Sequence, residues 1–110
     1  MKMINNQSWI KVAKTYNVEY ESPISIEIDD YHLAIYRDAE DNFYATDNVC
    51  THAYALLTEG FQEGCTIECP LHAGCFDIRT GEALTAPLTE NLKTYPVRID
   101  GDDILVYLDA

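Results

Sequence analysis

The sequence lacks the marks of a membrane-bound or exported protein. No apolar run approaches the roughly 20 residues that span a bilayer. Polar and charged residues interrupt the N-terminal segment, which therefore holds no signal-peptide core. These absences predict a cytoplasmic protein without a membrane partner. In a reducing cytosol, its four cysteines are expected to be free thiols or metal ligands rather than disulfides.

Positive charge is also scarce. Seven Lys and Arg stand against nineteen Asp and Glu, and the formal net charge is −12. A chain of this charge is repelled by DNA, RNA and anionic membranes, which argues against all of them as partners. A protein with a basic surface is the natural partner instead.

Linkers, low-complexity segments, internal repeats and long amphipathic helices are absent as well. With 110 residues, the chain is predicted to form a single domain over residues 1–110. Alternating apolar residues at Ile24, Ile26 and Ile28 predict a half-buried strand. Turn signals recur about every 8 to 12 residues, which favours an all-β antiparallel sandwich or barrel. Residues 48–64 show little strand periodicity.

The C-terminal segment shows the pattern of a β-hairpin. The acidic turn at 100–103 is flanked by apolar segments at 94–99 and 104–108, which predict a terminal hairpin.

Cys65 is expected to share a strand face with Ile67 as a small core residue, and Cys75 is expected to be a bystander without a role at the metal site. His32 is expected to face solvent.

The chemically informative residues form two short motifs. Residues 50–52 read C-T-H and residues 69–72 read C-P-L-H, with sixteen residues between His52 and Cys69. Two of the three histidines therefore lie within three residues of a cysteine. Two Cys and two His on two loops predict a metal site. The candidate ligands are Cys50, His52, Cys69 and His72.

Two kinds of metal site fit these four ligands. In one, they surround a single structural zinc, and the chain is an interaction module. In the other, Cys50 and Cys69 bind one iron of a [2Fe–2S] cluster while His52 and His72 bind the other. Zinc fingers usually pair like ligands, whereas each loop here supplies one Cys and one His, which favours the cluster. A thiol nucleophile built from Cys50 and His52 would leave the second pair unexplained.

The two motifs and their spacing resemble the signature of Rieske iron–sulfur proteins. From about residue 43 to residue 99, the chain is similar to the Rieske ferredoxins of bacterial aromatic ring-hydroxylating dioxygenases of the naphthalene and biphenyl type. The resemblance implies a β-sandwich base with a small cluster-binding lobe, about residues 44–88, in which Pro87 helps to shield one [2Fe–2S] cluster. His52 and His72 are then expected at the exposed tip. Tyr54 is a candidate for the rim around them and equally for the small core of the lobe.

The resemblance also implies an electron carrier rather than an enzyme. Such a protein takes single electrons from an NAD(P)H-dependent flavin reductase and delivers them to the oxygenase, and we expect it to be a monomer. An alternative within the same fold is the small subunit of another redox enzyme, such as an assimilatory nitrite reductase. The aromatic substrate and the class of reductase are not encoded in this chain.

The respiratory and photosynthetic branch of the family differs at four positions. Its extra cysteines correspond to Ala55 and Leu71 here, so its disulfide beside the cluster is absent. Its Ser and Tyr hydroxyls correspond to Gly74 and Phe76, which have no side-chain donor. Fewer hydrogen bonds to the cluster sulfurs predict a midpoint potential toward the lower end of the Rieske range, about −150 to +300 mV.

The acidic residues cluster around the predicted redox centre. No Lys or Arg lies between Arg37 and Arg79. We interpret this acidic, cluster-bearing end as the surface that docks onto basic faces of the reductase and the oxygenase. The acidic residues of this stretch are Asp38, Glu40, Asp41, Asp47, Glu59, Glu63, Glu68 and Asp77.

Overall fold

Antiparallel strands make up nearly all the regular structure. The computed structural model describes residues 8–51, 54–71, 74–85, 88 and 90–108. The strands are β1 (Ser8–Lys14), β2 (Ile24–Ile28), β3 (Tyr31–Arg37), β4 (Phe43–Asp47), β5 (Phe61–Glu63), β6 (Thr66–Glu68), β7 (Cys75–Asp77), β8 (Thr94–Tyr95), β9 (Val97–Asp100) and β10 (Asp103–Leu108). Two 3₁₀ turns, Thr15–Asn17 and Leu57–Glu59, are the helical segments of the described chain. The all-β prediction is confirmed.

The strands form three sheets. The first has the order β1-β10-β9, the second β2-β3-β4-β8 and the third β5-β6-β7. The predicted terminal hairpin is present, with Asp100 opposite Asp103 in the register of β9 and β10. Its turn uses Gly101 at φ +62°, a left-handed conformation that glycine adopts without a Cβ clash.

Pro96 is where the chain passes from one sheet to another. The predicted strand over residues 94–99 is divided into β8, which pairs with β4, and β9, which pairs with β10. Proline has no N–H and cannot donate to a ladder, but the carbonyl of Pro96 accepts a hydrogen bond from the N–H of Tyr107 at 3.0 Å. The chain therefore leaves the second sheet after Tyr95 and enters the first sheet at Val97.

Strand β3 separates two apolar cores because it is buried on both faces. Leu33 and Ile35 face one core, and Ala34 and Tyr36 face the other, all with 0% exposure. The base core lies between the first two sheets and contains Val18, Leu33, Ile35, Ala45, Tyr95, Ile104, Val106 and Leu108. The lobe core lies on the side of the third sheet and contains Ala34, Tyr36, Cys50, Leu57, Ile67, Cys69, Phe76, Ile78, Leu88 and Leu92.

Two expectations about the third sheet were wrong. Strand β5 lies inside the segment 48–64, where no strand was expected, because its pattern is inverted: Phe61 is 69% exposed whereas Gln62 is buried. Gln62 is accommodated because its side-chain amide donates to the carbonyls of Arg37 and Gly64. Cys65 is not on a strand face. It lies half-buried in the turn that precedes β6 and packs against the lobe core.

None of the helical segments in the described part of the chain is long and apolar enough to cross a membrane.

Candidate metal centre

The two predicted cysteine ligands lie side by side in the lobe core. Cys50 comes three residues after β4 and is 5% exposed, and Cys69 directly follows β6 and is 1% exposed. Both are free thiols. Their side chains are within hydrogen-bonding contact of each other. The fold therefore brings together two residues that are nineteen positions apart in the sequence.

Each cysteine begins a short loop, and a hydrogen bond from the backbone N–H of the cysteine closes that loop. The N–H of Cys50 donates to the carbonyl of Ala55 at 2.9 Å, which closes the first loop, and the N–H of Cys69 donates to the carbonyl of Gly74 at 2.8 Å, which closes the second. Such a closure fixes the Cα–Cβ direction of the cysteine with respect to its loop. The first residues of the two loops consequently present their thiols to one point.

The environment of the thiols suits a soft metal ion. Burial raises the pKa of the Cys69 thiol, and Cys50 raises it further through a hydrogen bond and through charge repulsion. The backbone N–H of Leu71 acts in the opposite direction, because it donates to the Cys69 sulfur and stabilises its anion. Two adjacent thiols cannot both be anionic at low cost unless a cation is shared between them, which is what a thiolate-bound iron provides.

At the end of the second loop, the backbone of Gly74 lies directly against the side chain of Leu88. A Cβ on Gly74 would lie 2.6 Å from Cγ of Leu88. Leu88 is itself 9% exposed and belongs to the lobe core, as do both cysteines. The absence of a side chain at residue 74 therefore allows Leu88 to pack over this part of the lobe and exclude water.

Two residues of a third segment, Thr85 and Glu90, form hydrogen bonds at the two loops. The hydroxyl of Thr51 in the first loop donates to the carbonyl of Glu90 at 2.9 Å. At the exit of the second loop, the N–H of Cys75 donates to the hydroxyl of Thr85 at 2.9 Å. Residues 85 and 90 are thus hydrogen-bonded to the beginning of the first loop and to the exit of the second.

Asn48 ties the first loop to the base, and the sequence analysis did not identify it. Its amide is completely buried, accepts from the N–H of Thr58 at 2.9 Å and donates to the hydroxyls of Ser25 and Thr58, both at 3.1 Å. Its backbone N–H also donates to the carbonyl of His32 at 2.8 Å. An Asn two residues before a cysteine has no distinctive pattern, so only tertiary structure reveals this role.

Several predicted features lie outside the described residues. His52, His72 and Pro87 are among them, so their ligand and shielding roles stay predictions. Within the described residues, no group of three or more His, Cys, Asp or Glu side chains is arranged to hold a metal ion. Tyr54 is 96% exposed, as expected for a rim residue, and the exposed His32 lies 3.6 Å from the carboxylate of Glu27.

The acidic stretch is less uniform than its sequence indicates. Asp38 is buried and accepts hydrogen bonds from the N–H groups of Glu40 and Asn42, and Asp41 pairs with Arg37 at 3.0 Å. The other two aspartates are also engaged, Asp47 by the hydroxyl of Tyr95 and Asp77 by Arg79. The remaining four acidic residues are the glutamates Glu40, Glu59, Glu63 and Glu68.

An antiparallel β-fold in which two loops bring a pair of buried thiols together is the architecture of a metal-binding β-protein. Residues 8–96 match the family described as the Rieske [2Fe-2S] domain. The chain belongs to this family, and its cofactor is one [2Fe–2S] cluster. The paired, buried and free thiols of Cys50 and Cys69 fit this cluster, and the family assignment decides against the single structural zinc.

Individual relatives agree with the family. The chain is 44% identical over 102 residues to the ferredoxin component of the naphthalene 1,2-dioxygenase system of Pseudomonas aeruginosa, covering 93% of this chain and 97% of that protein. Its structure is similar to that of a ferredoxin from Sphingomonas yanoikuyae B1, with a TM-score of 0.87, 35% identity and coverage of 92% and 99%. It is also similar to a chain in the complex of reduced oxygenase and oxidized ferredoxin of carbazole 1,9a-dioxygenase, with a TM-score of 0.86, 35% identity and coverage of 93% and 94%.

Proposed function

We propose that this protein is the ferredoxin component of an aromatic ring-hydroxylating dioxygenase system. It receives single electrons from an NAD(P)H-dependent flavin reductase and delivers them to the oxygenase, which performs the oxygen chemistry. The observation that carries the proposal is the 44% identity to a naphthalene dioxygenase ferredoxin over 97% of that protein's length. The similar carbazole dioxygenase ferredoxin, solved together with its oxygenase, supports the same direction of electron flow.

Within this function, the chain's residues hold and insulate the redox centre. A bound [2Fe–2S] cluster supplies a site that gains and loses one electron. Cys50 and Cys69 bind one iron from inside the lobe core, and His52 and His72 are the proposed ligands of the other. The N–H of Leu71 stabilises negative charge on the Cys69 sulfur.

The potential of the centre is proposed to lie in the lower part of the Rieske range, which spans about −150 to +300 mV. Gly74 offers no side-chain donor, and the contact with Leu88 leaves no room for one. Phe76 is completely buried in the lobe core and offers none either. A redox titration with a midpoint above about +100 mV would contradict this proposal.

The docking surface is proposed to be the acidic, cluster-bearing end. Its four glutamates attract basic faces of the reductase and the oxygenase and accelerate encounter without tight binding. The proposed carrier is a cytoplasmic monomer that exchanges between these two partners. A reduction rate that stays the same from low to high ionic strength would show that charge does not steer the encounter.

The first experiment is spectroscopic. Purified protein is examined by visible absorption and EPR before and after dithionite. Mixed Cys and His ligation is expected to give a red-brown protein that bleaches on reduction and shows a rhombic signal with an average g below that of an all-cysteine cluster. Histidine-to-alanine variants at 52 and 72 are expected to lose that signal, whereas the exposed His32→Ala variant keeps it. A signal retained without His52 or His72 would contradict the proposed ligands.

The second experiment separates the free carrier from a fixed subunit. The protein is purified under mild conditions together with its co-expressed neighbours. A carrier is expected to elute alone and to transfer electrons from added reductase to added oxygenase over many turnovers. Stable co-elution with a nitrite-reducing complex would favour the alternative function as a small subunit.

A further inference from the structure

A groove opens where the base meets the first loop. It has a volume of about 420 Å³ and is lined by Glu27 and His32 of the second sheet and by residues that follow β4, among them Val49, Tyr54, Leu56 and Glu59. Val49 directly precedes the proposed ligand Cys50. The groove therefore touches both halves of the molecule at the residue next to the redox centre.

The groove exists because the lobe covers only part of the second sheet. Glu27 and His32 are paired across β2 and β3, and they lie on the same face as Ala34 and Tyr36. The lobe core buries Ala34 and Tyr36 completely, whereas the side chains of Glu27 and His32 remain 70% and 50% exposed. The lobe covers the rest of this face of the second sheet, but the end with Glu27 and His32 is accessible to a partner protein.

The walls of the groove are suited to a cation. Glu27 and Glu59 supply two carboxylates to its lining, and among the described residues that line the groove there is no Lys or Arg. Tyr54 stands on the rim with 96% of its surface exposed. An aromatic ring of this exposure has an accessible π-face, which attracts cations.

We propose that this groove receives an arginine side chain of the electron-transfer partner, and this proposal rests on the function proposed above. A planar guanidinium can hydrogen-bond to more than one carboxylate and stack on an aromatic ring, which an ammonium group does less well. A second copy of this chain is a poor occupant because each copy has a net charge of −12. With the arginine seated beside Val49, the cluster-bearing loops face the partner in a fixed orientation.

The proposal is tested first with ethylguanidinium as a probe on the oxidised holo protein. NMR titration at constant ionic strength is expected to give saturable shifts at the Glu27, Glu59 and Tyr54 side chains, and weaker binding of ethylammonium. The Glu27→Gln/Glu59→Gln variant is expected to bind ethylguanidinium at least about five-fold more weakly. The matched control, Glu19→Gln/Asp100→Asn, loses the same charge at exposed sites outside both the groove and the acidic stretch, and is expected to bind normally.

Two results would overturn the groove as a cation site. One is a set of shifts that is non-saturable and spread over all exposed carboxylates, as expected for nonspecific attraction. The other is equal binding by the groove variant and the control variant. Saturable binding that prefers ethylammonium would instead indicate lysine and would contradict the arginine.

The second test measures electron transfer from the reduced ferredoxin to the oxygenase component of a naphthalene 1,2-dioxygenase system by stopped flow. The groove variant is expected to be about five- to ten-fold slower than wild type, whereas the control variant changes less than about two-fold. Equal rates for the two variants would overturn the groove and leave the carrier function intact. Failure of wild type to transfer electrons to this oxygenase would count against the proposed function, and the ethylguanidinium titration would still decide the groove.

Discussion

The base and the lobe are built on different principles. In the base, strands of six and seven residues pack aliphatic side chains against each other across two sheets. In the lobe, each strand has only three residues, and two of the ten buried core residues are the free cysteines. Three-residue strands bury too little apolar surface to be stable alone. The base is therefore expected to fold by itself, whereas the lobe depends on its metal centre.

Removal of the cluster should have the largest effect and should separate the two halves. In the Cys50→Ala and Cys69→Ala variants, the cluster is lost and amides in β5, β6 and β7 are expected to lose protection from hydrogen exchange by about 100-fold or more. Amides of β3 and β10 are expected to keep their protection. Exchange measured by mass spectrometry or NMR tests both halves in one sample.

Cys65→Ala is the matched control for these cysteine variants. Cys65 is half-buried in a turn of the lobe and contacts the same core. Its replacement is expected to leave the cluster and the exchange pattern unchanged. Loss of protection throughout the chain in Cys50→Ala would show that base and lobe unfold as one unit and would contradict the proposed difference.

Asn48→Ala should have the next largest effect, because this residue connects the two halves. The variant leaves the N–H of Thr58 and two hydroxyls without their buried partner, which is expected to cost about 2–4 kcal/mol. Loss of the cluster, followed by visible absorbance in mild denaturant, is expected to accelerate. Ser25→Ala removes a single one of these hydrogen bonds and should cost only about 0.5–1.5 kcal/mol.

An Asn48→Ala variant as stable as Ser25→Ala would mean that water replaces the amide and that the connection contributes little. The visible and EPR spectra of the intact cluster serve as a second readout. If Asn48 positions Cys50, a shifted signal is expected in the fraction that keeps its cluster. A merely destabilised fold would leave that signal unchanged.

The difference between the base and the lobe also explains which strands could be predicted from the sequence. Ile24, Ile26 and Ile28 alternate with polar residues, so hydropathy alone predicts β2 and the base. In the lobe, β5 exposes Phe61 and buries Gln62, which reverses the usual pattern. That burial depends on the carbonyl of Gly64, two residues along the chain, and on the carbonyl of Arg37, which only the tertiary structure brings near. Local periodicity therefore fails where polar contacts decide the packing.

The residues of the candidate site were predictable to different extents. Cys50 and Cys69, which the fold brings together, could be singled out as candidates because metal ligation requires particular side chains at particular spacings, independent of how the surrounding chain packs. Asn48 and Leu88 were not, because a buried amide and a packed leucine carry no local signature. A sequence count also cannot show that two of the acidic residues, Asp41 and Asp77, are paired with the arginines at the ends of the stretch.

A smaller effect is expected from one matched pair of core substitutions. Ile35 in the base and Ile67 in the lobe are both completely buried. Ile35→Val and Ile67→Val are each expected to lower the free energy of unfolding of their own half by about 0.5–1.5 kcal/mol. Only Ile67→Val should speed the loss of the cluster, as measured by absorbance decay. Equal decay in the two variants would indicate that the base supports the cluster as directly as the lobe does.

The smallest effect concerns the turn between β3 and β4. Burial acts to raise the pKa of Asp38, but hydrogen bonds from Asn42, Glu40 and Tyr44 outweigh it and hold the pKa below its ordinary value. Stability from this carboxylate is present above about pH 4 and is lost as the pH falls through the folded pKa. Because these donors lie within residues 40–44, the low pKa should persist in the cluster-free protein.

Carbon-detected NMR titration of the Asp38 carboxyl group in the cluster-free protein measures this pKa directly. Tyr44→Phe removes one donor, the hydroxyl at 3.2 Å, and is expected to raise the pKa toward its ordinary value without restoring it fully. Tyr36→Phe removes another buried hydroxyl, which contacts Thr46 instead, and should leave the pKa of Asp38 unchanged. An ordinary pKa in cluster-free wild type would mean that this turn is ordered by the lobe, and the boundary of the independently folded base would then have to exclude it.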